Sequence, residues 1–172
     1  MARSSLREFQ ERLARRLAEA GTGERRGLLG FMCGAEHWLI ELAEAGEILP
    51  PPPLSTVPLT QPWYRGLANV RGTLFSVVDF ACFNGQPPVP PGGAARLLLI
   101  GARHGVNTAL LVNASTGGLR AHEDFTACAT DDPRPWVAGS LRDLQGRTWQ
   151  QIDPARLLAH PAFLDPGPEH AG

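Results

Sequence analysis

Apolar residues along the chain fall into short runs separated by glycine, proline and polar clusters. The densest run is Thr73-Leu74-Phe75-Ser76-Val77-Val78-Asp79-Phe80, apolar at Leu74, Phe75, Val77, Val78 and Phe80. Branched and aromatic side chains at that density predict a buried strand. Just before it, Gly66 and Gly72 bracket Asn69 and Arg71. Glycines there permit positive φ or close backbone approach, so Arg71 sits at the strand entrance beside a flexible joint. Upstream, Leu28 to Cys33 and His37 to Leu42 flank Gly34-Ala35-Glu36 and predict a hairpin. A third run passes through Glu47-Ile48-Leu49. Downstream, Arg96 to Ile100 and Thr108 to Val112 flank the turn Arg103-His104-Gly105, and Asn113 leads into a further turn at Gly117-Gly118. Trp136 to Leu141 and Trp149 to Ile152 flank Asp143 to Arg147 as another hairpin.

Helical spacing is confined to the two ends. Over residues 4–20, Leu6, Phe9, Leu13 and Leu17 share one face, Ser5 and Glu8 form a capping box, and Gly21-Thr22-Gly23 stops the helix. Packing of that face on the chain's own domain is the expected use. Docking to a partner is the alternative, and a membrane surface suits it less, because Glu8, Glu11 and Glu19 dilute the positive face. Asp153-Pro154 opens a short helix, Ala155 to His160. Pro50-Pro51-Pro52-Pro53 cannot join a ladder and reads as a stiff connector. Residues 84–93 read as an exposed Pro/Gly loop, and residues 161–172 as frayed.

Composition narrows the class. A length of 172 residues suits one domain or two small subdomains sharing a core. A net charge of −1 leaves no basic surplus for a phosphate backbone, so nucleic acid is not an expected partner. All 16 basic residues are arginine, which speaks of a GC-rich genome more than of a function. No apolar stretch reaches the roughly 18 residues of a bilayer span, and the N-terminus lacks the apolar core of an export signal. Cys33, Cys82 and Cys128 are odd in number and lie far apart, which gives no disulfide framework and no zinc spacing, and they read as small buried hydrophobes in a reducing cytoplasm.

Catalytic chemistry has little to stand on. There is no phosphate loop, no dinucleotide fingerprint and no nucleophile elbow. His37, His104, His122, His160 and His170 show no metal-ligand spacing, and His122-Glu123-Asp124 reads as a solvated turn. Cys33 sits in an apolar run without a base. Asp79, at a strand end, suits a turn cap better than a catalytic acid. No enzyme activity, cofactor or metal is expected.

The stretch Gly66-x-x-Asn69-x-Arg71-Gly72, followed by Val77-Val78-Asp79, resembles the signature of CheW-like domains, the coupling proteins of bacterial chemosensory arrays. The Glu47-Ile48 element, the strand order on both sides and the closing helix agree with that family from about Leu28 to His160. Ser76 stands where the family usually has proline, Phe80 where it has leucine, and Asn113 where it has aspartate. The N-terminal helix is similar to the extension of the PilI branch, which serves twitching-motility systems of the type IV pilus.

The run count alone implies many short strands. The resemblance implies a mainly β fold of two five-stranded SH3-like barrel subdomains, with an N-terminal helix and a short C-terminal helix. It implies an N-terminal extension at 1–23, an interleaved CheW-like domain at 24–162 and a disordered tail at 163–172. One barrel holds the central motif and the strands after it; the other combines the early hairpin with the chain's end. The implied function is a non-catalytic, cytoplasmic adaptor between a methyl-accepting chemoreceptor and a CheA-type histidine kinase. Such an adaptor reaches the inner membrane only through its partners. Glu47, Gly66, Asn69, Arg71, Gly72 and Asp79 are the implied partner-binding residues, with the segment near Asn69 and Arg71 facing the receptor. Glu47 and Arg71 are expected to pair, against the alternative of two unrelated surface charges. A small β-barrel that binds a ligand or acts as an enzyme is the other functional reading. A concave polar pocket would mark it, where an adaptor shows flat apolar patches.

Overall fold

The computed structural model describes residues 8–11 and 27–167, with the backbone alone at 114–117. Residues 8–11 are helical, and the rest of the expected N-terminal helix lies outside the described residues, as do residues 168–172. Among the described residues, twelve strands form two sheets. They are β1 (Leu28–Cys33), β2 (Glu36–Glu41), β3 (Ala45–Leu49), β4 (Leu54–Ser55), β5 (Tyr64–Val70), β6 (Thr73–Asp79), β7 (Arg96–Ile100), β8 (Thr108–Val112), β9 (Ala114–Arg120), β10 (Phe125–Cys128), β11 (Val137–Asp143) and β12 (Thr148–Ile152). Helical segments α1 (Phe80–Phe83), α2 (Pro154–Ala159) and α3 (Pro161–Leu164) accompany them.

The sheets run β10-β11-β12-β2-β1-β9 and β3-β7-β8-β6-β5-β4. The fold is mainly β, with short helices, as the sequence implies. Each sheet has six strands where five are expected. The additions are short edge strands: β4 has two residues and β10 has four. The chain leaves the first sheet after β2, builds the second from β3 to β8, and returns with β9. One apolar core spans both sheets, and a smaller one, of Leu28, Leu39 and Trp149, belongs to the first sheet. Trp38 of β2 meets Phe80 of α1 edge-on at 4.8 Å, and Phe31 of β1 lies 6.3 Å from the same ring.

Three segments differ from expectation for local reasons. Tyr64–Val70 is a full strand despite Gly66 and Asn69, both poor strand formers. Gly66 is needed because β4 crosses it: an added Cβ would lie 2.1 Å from the Ser55 carbonyl oxygen. Gly117-Gly118 is no turn but part of β9, with Gly118 opposite Gly30. β1 is a buried strand whose second edge needs a partner for its backbone groups, and β9 supplies it. The Pro/Gly loop is not wholly exposed, since Val89 is buried.

The chain also continues past the expected domain end. α3 is a helical turn whose His160 Nδ1 accepts from the Ala162 N–H at 3.2 Å. Its Phe163 is buried and stacks on Trp63 at 6.3 Å.

Candidate functional site

The candidate site is built on the tip of the β5–β6 hairpin. Val70 pairs with Thr73, leaving the two-residue turn Arg71-Gly72. Both turn residues have positive φ, 50° and 86°, which matches the right-handed twist of the flanking strands. Asn69 Oδ1 accepts from the Gly72 N–H at 2.8 Å and fixes the turn. The tip is therefore held before any partner arrives.

Arg71 meets Glu47 of β3. Its Nη1 donates to Oε1 at 3.2 Å and its Nη2 to Oε2, a two-point contact. The pair expected from the sequence is thus present. In the sheet order, two strands separate β3 from β6. On a flat sheet that would put them about 14 Å apart. The ion pair ties the β3 edge of this sheet to the hairpin tip. A register shift between Ala45 and Ile48 re-aims β3 at Glu47.

Both side chains remain accessible, Arg71 at 71% and Glu47 at 44%. The hydrogen bond from Arg71 holds the Glu47 carboxyl below its ordinary range, and the bond to Glu47 raises Arg71. Each thus stays charged at neutral pH. Arg71 keeps donors that Glu47 does not use, in a planar fork with a set direction.

Leu74 lies across from Asn69 and is 57% exposed. It was expected on the buried strand. Burial rises along β6: Thr73 and Leu74, at the turn end, are exposed, while Val77, Val78 and Asp79, at the far end, are buried. The place of Leu74 two residues past the turn is the signal that would have found it. The tip thus presents an apolar side chain beside a braced cation.

Of the six residues implied by the resemblance, Glu47, Asn69, Arg71 and Gly72 converge here. Gly66 and Asp79 do not. Gly66 lies under β4. Asp79 is fully buried. Its Oδ1 accepts from the Cys82 N–H at 3.0 Å, capping α1, and its Oδ2 accepts from the Val89 N–H at 2.8 Å. Arg65 approaches Oδ2 at 3.5 Å. Asp79 is the turn cap that its strand-end position suggests. Ser76 uses what a proline lacks: its N–H donates to the Asn107 carbonyl at 3.1 Å, while Tyr64 Oη donates to Ser76 Oγ at 3.1 Å.

Burial first, then the charge of Asp79, pushes the Cys33 thiol far up. His104 Nε2 sits 2.8 Å from Glu44, and His122 Nε2 3.3 Å from Glu41. His122–Asp124 forms an exposed helical turn. Among the described residues, no three His, Cys, Asp or Glu side chains group as a metal site. No helix among them is long and apolar enough to cross a membrane.

Sequence reasoning missed a second polar cluster. Arg134, in the β10–β11 loop, donates to Glu36 at 2.6 Å, to Asp132 at 2.5 Å and to Asn84 Oδ1 at 2.9 Å. Its guanidinium also lies over the Trp38 ring at 5.0 Å. Glu36 belongs to the first sheet and Asn84 follows α1 of the second, so this arginine spans their seam.

A mainly β, two-sheet fold with a braced arginine at a hairpin tip defines the class of domain. The chain belongs to the CheW-like domain family, whose model matches residues 27–162. It is 26% identical to protein PilI of Pseudomonas aeruginosa over 143 residues, 80% of this chain and 78% of that one. Its fold is similar to that of the scaffolding protein TtCheW of Thermoanaerobacter tengcongensis. That likeness has a TM-score of 0.62 at 16% identity, over 74% of this chain and 88% of the other.

Proposed function

We propose that this protein is a non-catalytic adaptor that couples a methyl-accepting chemoreceptor to a CheA-type histidine kinase, in a twitching-motility system of the PilI kind. Family membership supports the coupling role, and the likeness to PilI supports the pilus branch. The observation that carries the reading is the braced tip: Arg71 held by Glu47 beside exposed Leu74. An exposed ion pair does little for stability. Its use is to hold a guanidinium in one pose for a helical partner such as a receptor tip. The adaptor works in the cytoplasm and reaches the membrane through that receptor.

A double-mutant cycle on receptor-tip affinity tests this. Arg71→Ala and Glu47→Ala should each weaken binding about tenfold, the double mutant little further, and Arg71→Lys should not rescue. Melting temperatures should stay within about two degrees. Additive losses, or unchanged affinity in both single variants, would remove the pair from the recognition surface.

A further inference from the structure

The C-terminal segment closes on an aromatic box drawn from three elements. Trp63 precedes β5, Phe83 ends α1 and Trp136 precedes β11. Phe83 meets Trp63 at 5.0 Å and Trp136 at 4.9 Å. Phe163 fills the box and is the one buried residue of α3. It stacks on Trp63 and meets Phe83 edge-on at 5.4 Å. Pro161, Ala162, Leu164 and Asp165 around it are exposed.

Past Phe163, the contact passes to the main chain. The Gln61 N–H donates to the Pro166 carbonyl at 2.7 Å, and its side-chain amide to the Gly167 carbonyl at 3.1 Å. Gln61 thus grips carbonyls, which any residue carries, while the box grips a ring. Upstream, α2 is fixed to the core by the fully buried Leu157. His160, with extended backbone, then joins α2 to α3 as a one-residue hinge before Pro161. The family match ends at residue 162, so Phe163 lies just past it, whereas the three rings that receive it lie within it. A terminal segment held by one ring and one glutamine opens at lower cost than the sheets beneath it.

We infer that the Trp63–Phe83–Trp136 box, with Gln61 beside it, is a peptide-docking site that the chain's own C-terminal segment keeps closed. The resident segment defines the ligand: a partner peptide with phenylalanine in one helical turn and free main-chain carbonyls three and four residues on. Stacked and edge-on contacts select a flat ring over an aliphatic side chain. A tethered competitor acts at an effective concentration on the order of millimolar, so the site refuses a dilute peptide and admits one held nearby. Trp63 stands at the opposite end of β5 from Arg71, and the site is separate from the hairpin tip.

The probe is a synthetic peptide of residues 159–167, Ala-His-Pro-Ala-Phe-Leu-Asp-Pro-Gly, titrated into the full chain and read by fluorescence anisotropy. Wild type should bind it weakly. Phe163→Ala, which empties the box, should gain about tenfold or more in affinity. A peptide with alanine in place of its phenylalanine should not bind, and adding Gln61→Ala to Phe163→Ala should remove most of the gain. Hydrogen exchange tests the wild type directly. The Gln61 amide, whose acceptor lies on the segment, should exchange by local opening, ahead of the amides of β7 and β8. Exchange of that amide only with global unfolding makes the segment part of the core and overturns the inference. So does a Phe163→Ala chain that no longer melts cooperatively, one that binds the peptide no better than wild type, or binding that ignores the peptide's phenylalanine. Concentration-dependent dimers of the wild type would give the box to a second copy's segment and overturn it as well.

Discussion

A carboxylate shut away from water needs donors inside the fold, and Asp79 has them. It ends β6, starts α1 and ties Val89 into the core through one side chain. Arg71, eight positions earlier in the same motif, keeps most of its surface in solvent. The motif mixes residues that shape the barrel with residues that face outward, and spacing alone does not separate them. Burial does. Asp79→Ala would leave two backbone N–H donors without their acceptor, at a cost of about 3 kcal/mol. Denaturant unfolding should report this as a lower midpoint with an unchanged slope. A variant as stable as the parent would mean that water replaces the carboxylate there.

At the scale of elements, the strands with strong apolar runs were legible in the sequence. Leu28–Cys33, Arg96–Ile100 and Thr108–Val112 form where their residues predict. The strands that escaped notice owe their existence to neighbours rather than to propensity. β5 contains Gly66 and Asn69, yet it is held between β4 and β6. β9 contains paired glycines, yet it completes β1. α3 forms because Phe163 finds Trp63, from a distant part of the chain. For the site, the Glu47–Arg71 pair was legible, but Leu74's exposure was not, because it depends on how far the hairpin tip stands out from the core. The two glycines of the motif can be told apart by experiment. Gly66→Ala places a methyl against the Ser55 carbonyl at a φ of 116° and should cost about 3 kcal/mol or more. Gly72→Ala has open space and only the strain of φ 86°, so about 1 kcal/mol is expected. Equal losses in thermal melts would mean that β4 shifts readily off β5.

For the whole molecule, the question is what makes two sheets one body. The apolar part of the answer is the shared core around Trp38 and Phe80. The polar part is Arg134, which joins Glu36, Asp132 and Asn84 across the seam. Burial alone would lower the charge affinity of this arginine, but its bonds to Asp132 and Glu36 outweigh that and raise it. The same bond from Arg134 holds the Asp132 carboxyl below its usual range. A depressed carboxyl favours the folded state in its ionised form. That stabilisation is complete above the unfolded value near pH ~4 and is lost as pH falls through the lower folded value. Arg134→Met keeps much of the volume but removes the cation, leaving two half-buried carboxylates without it. At neutral pH this should cost about 3 kcal/mol, a drop on the order of 10 °C in melting temperature. The gap between wild type and variant should be widest above about pH 5 and narrow below about pH 4, where the wild type loses the Asp132 contribution that the variant never had. Melting curves across that range decide the matter. A gap that stays constant down to the acid limb would assign Arg134 to packing over Trp38 alone, and a variant that melts in two steps would show that the seam, more than the apolar core, unites the sheets.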